Sequence, residues 1–253
     1  MKALLLAAGR GIRFSAEGAG IPKPMALVNG KPLLEHAIEH VREHGITRIY
    51  INLHYRPPVI QEYFGDGRRW GVEIRYSHET ELLGTAGAVK KLEGELDGTF
   101  LVYYADNLCS CNLTKMILLH GEKRALATIL VSESYDDLAG GVVRCDAEGR
   151  ILNFLEKPSG ATRGERLENG GIYVLEPGIM DYIPDGRPSD FARDVFPRTL
   201  RSGEALYCYR AEGYVRGIDT PERYRNLQEE LRKGILTVRK EGMRRQRNAR
   251  TKS

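Results

Sequence analysis

The chain has 253 residues, 42% of them hydrophobic, which is enough for one large α/β core, and no apolar run in it is long enough to cross a membrane. The formal charge of +4 is uneven: residues 232–253 hold nine Lys/Arg and one Glu, a net of +8, leaving −4 on residues 1–231. Nucleic-acid binding would therefore have to rest on that tail, which reads as a frayed helix end followed by a disordered or loosely docked segment rather than a specific RNA or membrane site.

Four cysteines, Cys109, Cys111, Cys145 and Cys208, do not make a disulfide framework in a chain of this length and are expected to be reduced structural thiols. The apolar start is interrupted by Arg10, too early for a signal peptide, so a cytoplasmic protein is expected.

Residues 3–8 form a continuous apolar run that switches abruptly to Gly9-Arg10-Gly11, the pattern of a buried parallel strand entering a turn. Gly9 and Gly11 are expected to bend the chain with positive φ, so that backbone N–H groups surround an anionic oxygen. Arg13 and Lys23 bring two cations to the same edge. A Walker loop would need Lys-Ser/Thr after its last glycine, and a dinucleotide fingerprint a third Gly/Ala. Ile12-Arg13-Phe14 satisfies neither.

The spacing predicts a helix over 32–45, with Leu34, Ala37, Ile38 and Val41 as its apolar stripe and Gly45 as its stop. His36, His40 and His44 share another face with Glu35, Glu39 and Glu43, and that face is expected to be solvated. A strand over 47–53, a short helix opened by Pro57-Pro58 and a strand over 72–76 complete a β-α-β-α-β order. Such an order predicts a parallel sheet with its ligand edge at the strands' carboxyl ends.

Gly84 and Gly87 then open a helix running to about residue 92, where small residues let a flat base approach the main chain. The apolar strand over 99–107 ends on Asp106, a carboxylate that must be solvated, capped or liganded. A strand over 125–131 leads to a hairpin over 140–158 that turns at 146–149. Beyond residues 168–177, a helix over 190–200 turns Phe191, Val195 and Leu200 inward. Residues 206–209 are expected to pair with 213–218, and the last helix starts at Thr220-Pro221-Glu222 with a Thr cap and Pro at its first position.

Taken together, Gly9-x-Gly11-x-Arg13, Pro22-Lys23-Pro24 and Asn29-Gly30-Lys31-Pro32 resemble the amino terminus of the sugar-1-phosphate nucleotidyltransferases. The likeness is greatest to the mannose-1-phosphate guanylyltransferase-like branch and covers residues 1 to about 230. It implies a Rossmann-like, mostly parallel sheet flanked by helices, of the nucleotide-diphospho-sugar transferase type, with a β-rich sugar-binding insertion. Residues 1–233 would form one domain, with a nucleotide-binding half over 1–125, a sugar-binding half over 126–233 and a basic tail over 234–253.

The implied reaction is Mg²⁺-dependent transfer from an NTP to a sugar 1-phosphate. By the same resemblance Ala8, Gly9, Gly11, Gly84 and Thr85 bind nucleotide, and Glu81 stands where the guanylyl branch often has an acid. A carboxylate accepts from guanine N1–H and N2–H together, so GTP is favoured. Arg13, Lys23 and Asp106 are the implied catalytic set, with Asp106 as Mg²⁺ ligand. Gly141, Glu156, Lys157, Asn169 and Gly171 match the family's sugar-phosphate pocket.

Three departures stand out. The family usually has Thr at Ile12 and Pro-Leu-Thr at residues 15–17, and relatives commonly read Asp-Ile-Gly where this chain has Gly217-Ile218-Asp219. Asp219 is left as either the second Mg²⁺ ligand or a helix cap. The expected partners are an NTP and a mannose, heptose or carbasugar phosphate, with a homo-oligomer allowed. The rival reading is a non-catalytic nucleotide-sugar sensor.

Overall fold

The computed structural model describes residues 1–9, 21–133, 142–155, 167–218 and 220–236. Strands β1 (Lys2–Leu6), β4 (Arg48–Leu53), β5 (Glu73–His78) and β6 (Phe100–Tyr104) lie in the order β6-β1-β4-β5, all parallel. The short pairs β2 (Leu27–Val28) with β3 (Lys31–Pro32) and β7 (Asn107–Cys109) with β13 (Val215–Gly217) stand off this sheet. In the first pair the turn is Asn29-Gly30, both with positive φ, as a two-residue hairpin of this hand requires.

The second half of the chain extends the same sheet. β11 (Leu167–Leu175) runs antiparallel to β6, to β8 (Ala127–Glu133) and to β9 (Val142–Cys145), which carries β10 (Ile151–Leu155) as the predicted hairpin partner. Asp146 N donates to Arg150 O at the turn, where Gly149 has φ +81°. Among the described residues nine strands thus share one sheet, and β11 ties its earlier and later strands together.

One face of the sheet packs through Leu5, Ile49, Ile51 and Leu101 against helices α1 (Leu33–Glu43), α2 (Pro57–Phe64) and α4 (Leu113–Lys123). The other packs through Leu4, Val102 and Tyr173 against α3 (Gly84–Lys90) and the helical stretch Phe191–Val195 that continues as α5 (Phe196–Arg201). A third, smaller core sets Leu227 of α6 (Pro221–Arg232) against Ala26, Val28 and Leu33. Thr220 caps α6 by accepting from Arg223 N at 3.2 Å, as predicted. Among the described residues no helix is long and apolar enough to cross a membrane.

Two expectations are corrected. β12 (Leu206–Arg210) does not pair with the segment after it: it lies parallel to β8, and β13 pairs antiparallel with β7. Leu206 and Cys208 are buried in the second core, with β8 on one side and the β9–β10 turn on the other, where Cys208 N donates to Gly149 O at 2.8 Å. Ala211 N continues that ladder to Val131 O at 2.8 Å, after which Tyr214 O accepts from Ser110 N and turns the chain toward β7.

The histidine face of α1 is not a solvated surface either. His36 Nε2 bonds Val28 O at 2.8 Å, His40 Nε2 bonds Cys111 O at 2.9 Å, and His44 Nδ1 meets Thr114 Oγ1 at 2.8 Å. Imidazoles partnered with main-chain carbonyls can be buried at small cost, so this helix packs on two sides rather than one. Cys109 and Cys111 are buried in the adjoining core, where the thiols approach each other; the Cys109 contact and burial hold the Cys111 thiol far above its usual range.

Candidate active site

The parallel strands end at a common edge, and there a cavity of about 400 Å³ opens between Leu6 of β1, Asn52 of β4 and Tyr104 of β6. Its size falls within the usual range for small-molecule sites. The remaining wall includes Ala8, Gly9, Lys23, Pro24, Glu79, Leu82, Gly84, Thr85, Asp106 and Asp190. Of the residues singled out from the sequence, Ala8, Gly9, Lys23, Gly84, Thr85 and Asp106 meet around this one space.

Asp106 reaches the edge because β6 is buried along its length and stops there. Ala105 N donates to Leu6 O at 3.1 Å, and Ile218 N donates to Asp106 O at 3.2 Å, so the residue is braced on both sides. Lys23 comes from a different direction. It heads a single turn, Lys23–Met25, in which Ala26 N donates to Lys23 O and the buried Pro24 and Met25 anchor the base.

The Lys23 ammonium forms an ion pair with Asp106 Oδ2, the side chains being 12% and 25% exposed. The pair is therefore shielded yet open to ligand. Asp106 is a partly exposed oxygen donor of the kind a divalent ion such as Mg²⁺ takes, and Mg²⁺ needs few protein ligands when phosphates supply the rest; the ion would share the carboxylate with the Lys23 ammonium, which occupies Oδ2.

A second polar group lines the cavity from the β4 side. Asn52 is 3% exposed in an otherwise apolar strand, and both ends of its amide are bonded: Oδ1 accepts from Ala7 N at 2.7 Å and Nδ2 donates to Glu79 Oε1 at 2.7 Å. Glu79 Oε2 in turn accepts from Leu83 N at 3.0 Å. The carboxylate facing the cavity is thus Glu79, 6% exposed, while Glu81 is exposed and absent from the wall. The buried Asn52 was the signal in the sequence, because an amide inside an apolar strand requires a polar partner nearby.

The glycines differ from expectation as well. Gly9 does not take a positive φ; instead a Cβ there would meet nothing within 4 Å among the described residues. Gly84 does have positive φ, +74°, and a Cβ there would lie 2.4 Å from Ser189 O, so main chain rather than open room fills that position. Gly84→Ala should cost about 3 kcal/mol or more from the backbone conformation and the clash, lowering Tm by roughly 6 °C or more. A thermal melt within about 2 °C of wild type would refute this.

Asn169 and Gly171 sit beside the cavity rather than on its wall. Between Asn169 and Tyr173 the β11 register shifts against β8, and Gly171 at φ +67° packs on Tyr104 and Asn107. Asn169 Nδ2 donates to Tyr173 OH at 2.7 Å, and Tyr173 OH donates to Tyr104 OH at 3.2 Å, which carries a polar chain to the cavity. Burial pushes both phenols well above their usual range, so they act as neutral hydrogen-bonding groups. Gly11, Arg13, Gly141, Glu156, Lys157 and Asp219 lie outside the described residues, as does the chain from 237 on.

Comparison with known proteins places this geometry in context. The family model described as nucleotidyl transferase matches residues 2–233. A UTP–glucose-1-phosphate uridylyltransferase of Synechocystis is 39% identical over 222 residues, 82% of this chain and 57% of its own. A mannose-1-phosphate guanylyltransferase of Mycobacterium tuberculosis is 33% identical over 92% of this chain and 65% of its own. The chain therefore spans about three fifths of the length of these curated relatives.

Among solved structures, HddC from Yersinia pseudotuberculosis superposes with TM-score 0.76 at 25% identity, over 91% of this chain and 99% of that one. A putative glucose-1-phosphate thymidylyltransferase from Bacillus anthracis gives TM-score 0.81 at 21% identity over 95% and 98%, a likeness of fold.

Proposed function

Because this chain belongs to the nucleotidyl transferase family, we propose that it joins an NTP to a sugar 1-phosphate, giving an NDP-sugar and pyrophosphate, with GTP as the favoured donor. The observation that carries this reading is the Lys23–Asp106 pair, held at the carboxyl ends of parallel strands on the wall of a ligand-sized cavity.

A sugar 1-phosphate oxygen attacks the α-phosphorus in line, and the bond to pyrophosphate breaks. A phosphate monoester is already nucleophilic at neutral pH, so the protein's work is to align two anions and offset the charge that builds between them. Lys23 would neutralise the α-phosphate, Arg13 the leaving pyrophosphate and Lys157 the incoming phosphate, each as a charge-assisted contact. That no described residue lies within 4 Å of a Cβ placed on Gly9 supports passage of the phosphates over the end of β1.

Asp106, with Asp219 as the candidate second ligand, would hold Mg²⁺. The ion supplies charge neutralisation on phosphate oxygens when bound. The residue before Asp219 supports this: Ile218 N donates to Asp106 O. On the sugar side Gly141, Glu156, Asn169 and Gly171 would surround the acceptor. The nucleotide-binding and sugar-binding halves then correspond to the chain before and after about residue 125.

Guanine is favoured because Glu79 offers a buried carboxylate where one side chain can accept from N1–H and N2–H, a pair only guanine provides. The relatives carry uridylyl and guanylyl names alike, so the donor is the point to test. The protein is mixed with Mg²⁺, each NTP in turn and a panel of sugar 1-phosphates, and pyrophosphate and product mass are followed. GTP with a mannose or heptose phosphate should give the fastest release. A failure of every pairing would leave only nucleotide-sugar binding.

A further inference from the structure

The cavity wall carries a third polar group that neither phosphate chemistry nor base reading uses. Asp190 stands at the start of the helical stretch Phe191–Val195, and its carboxylate is held by three donors. Oδ1 accepts from Ala192 N at 2.9 Å and Arg193 N at 3.2 Å; Oδ2 accepts from Thr85 Oγ1 at 2.8 Å. Thr85 Oγ1 also accepts from Phe191 N at 3.0 Å and lies within hydrogen-bond reach of the Tyr104 hydroxyl. A carboxylate offers about four acceptor positions, so one remains, on Oδ2 beside Thr85 at the cavity wall.

Among the described residues Asp190 pairs with no Lys or Arg; the adjacent Arg193 is engaged with Asp194. An uncompensated anion on the wall of a polyphosphate site repels phosphate, so it suits a part of the ligand that is neutral and donates hydrogen bonds. Hydroxyl groups meet both requirements.

Position decides whose hydroxyl this is. Asn52 and Glu79 approach from β4 and β5, on one side of β1, whereas Tyr104 lies on β6, on the other side. The Tyr104–Tyr173–Asn169 chain continues from there into β11. Asp190 shares the wall with Tyr104 and Thr85. If the base lies at Glu79 and the phosphates cross the end of β1, the group reaching Asp190 belongs to the acceptor.

We propose that Asp190 is a specificity-determining residue that accepts a hydrogen bond from a hydroxyl of the acceptor sugar. This rests on the transferase reading for the identity of the ligand, but not on turnover. Asp190 then weakens binding of any acceptor that lacks the matching hydroxyl.

The test is equilibrium binding. Asp190→Asn keeps the amide oxygen that accepts from Ala192 N and Arg193 N and removes the charged acceptor. Titration calorimetry is run on wild type and variant with the sugar 1-phosphates, their NDP-sugars, GTP and single-deoxy analogues. A hydrogen bond to a carboxylate is worth about tenfold or more in affinity. Wild type should lose about that factor on one deoxy analogue. The variant should lose it on the parent sugar phosphate and NDP-sugar, discriminate no further against that analogue, and bind GTP unchanged.

Unchanged affinity of the variant for the sugar ligands overturns the proposal. So does weakened GTP binding instead, which would assign the residue to the ribose, and so does a wild type indifferent to every deoxy analogue or binding none of the panel. Pyrophosphate release, measured separately, shows whether the transferase reading fails: binding with the expected pattern but no turnover upholds Asp190 and rejects catalysis.

Discussion

Replacing Lys23 by Ala is expected to lower kcat by about 100- to 1000-fold while leaving the fold in place, the scale seen when one preorganised charge is removed from a transition state. Lys23 lies on a turn outside the main sheet, and its contribution to the core is made by its neighbours Pro24 and Met25. Removing the ammonium leaves Asp106 a quarter exposed and reachable by water, so the stability cost should stay near 1 kcal/mol and Tm should fall by less than about 4 °C. Pyrophosphate release and a thermal melt on the same preparation separate the two effects. A variant turning over near the wild-type rate would remove Lys23 from the reaction; one that melts far lower would make it a structural cation.

Glu79→Gln should have the largest combined effect on stability and donor choice. Both carboxylate oxygens accept, one from Asn52 Nδ2 and one from Leu83 N. A glutamine side chain supplies one acceptor and one donor, so an N–H must face another N–H. Turning the Asn52 amide to relieve this would place its own N–H against Ala7 N, whose bond it now accepts. The mismatch has no local solution and should cost about 1–3 kcal/mol, a fall of roughly 3–10 °C in Tm. If Glu79 reads guanine, KM for GTP should also rise about tenfold or more while KM for UTP changes little. Equal increases for all four NTPs would mean that Glu79 only braces the loop.

Much of this architecture was legible where local chemistry is decisive. The parallel order of β1, β4 and β5 follows from alternating strand and helix patterns, the β9–β10 hairpin from Asp146 and Gly149, and the start of α6 from Thr220-Pro221. What escaped was settled by partners distant in sequence. β12 lies against β8 because the second core is there, and nothing between residues 206 and 217 encodes that. The α1 histidines look solvent-facing by period, yet Val28 and Cys111 supply carbonyls from elsewhere in the chain.

Glu79 and Glu81 illustrate the limit on the site itself. Two acids separated by one residue are equivalent to any rule of composition, and both precede the same Leu83-Gly84. Only the strand register separates them: Glu79 N donates to Leu53 O, extending the β4–β5 ladder by one rung and placing the side chain over Asn52.

The grip of α6 on the segment after Lys23 has a consequence for biosynthesis. Tyr224 OH and Gln228 Nε2 both donate to Leu27 O, at 2.7 and 2.6 Å, and Leu227 seals Val28 and Leu33 beneath them. These contacts join residues about two hundred positions apart, so in a chain emerging from the ribosome the segment after Lys23 stays unbraced until α6 has been translated. The wall around Lys23 should therefore set late and in one step, when α6 docks.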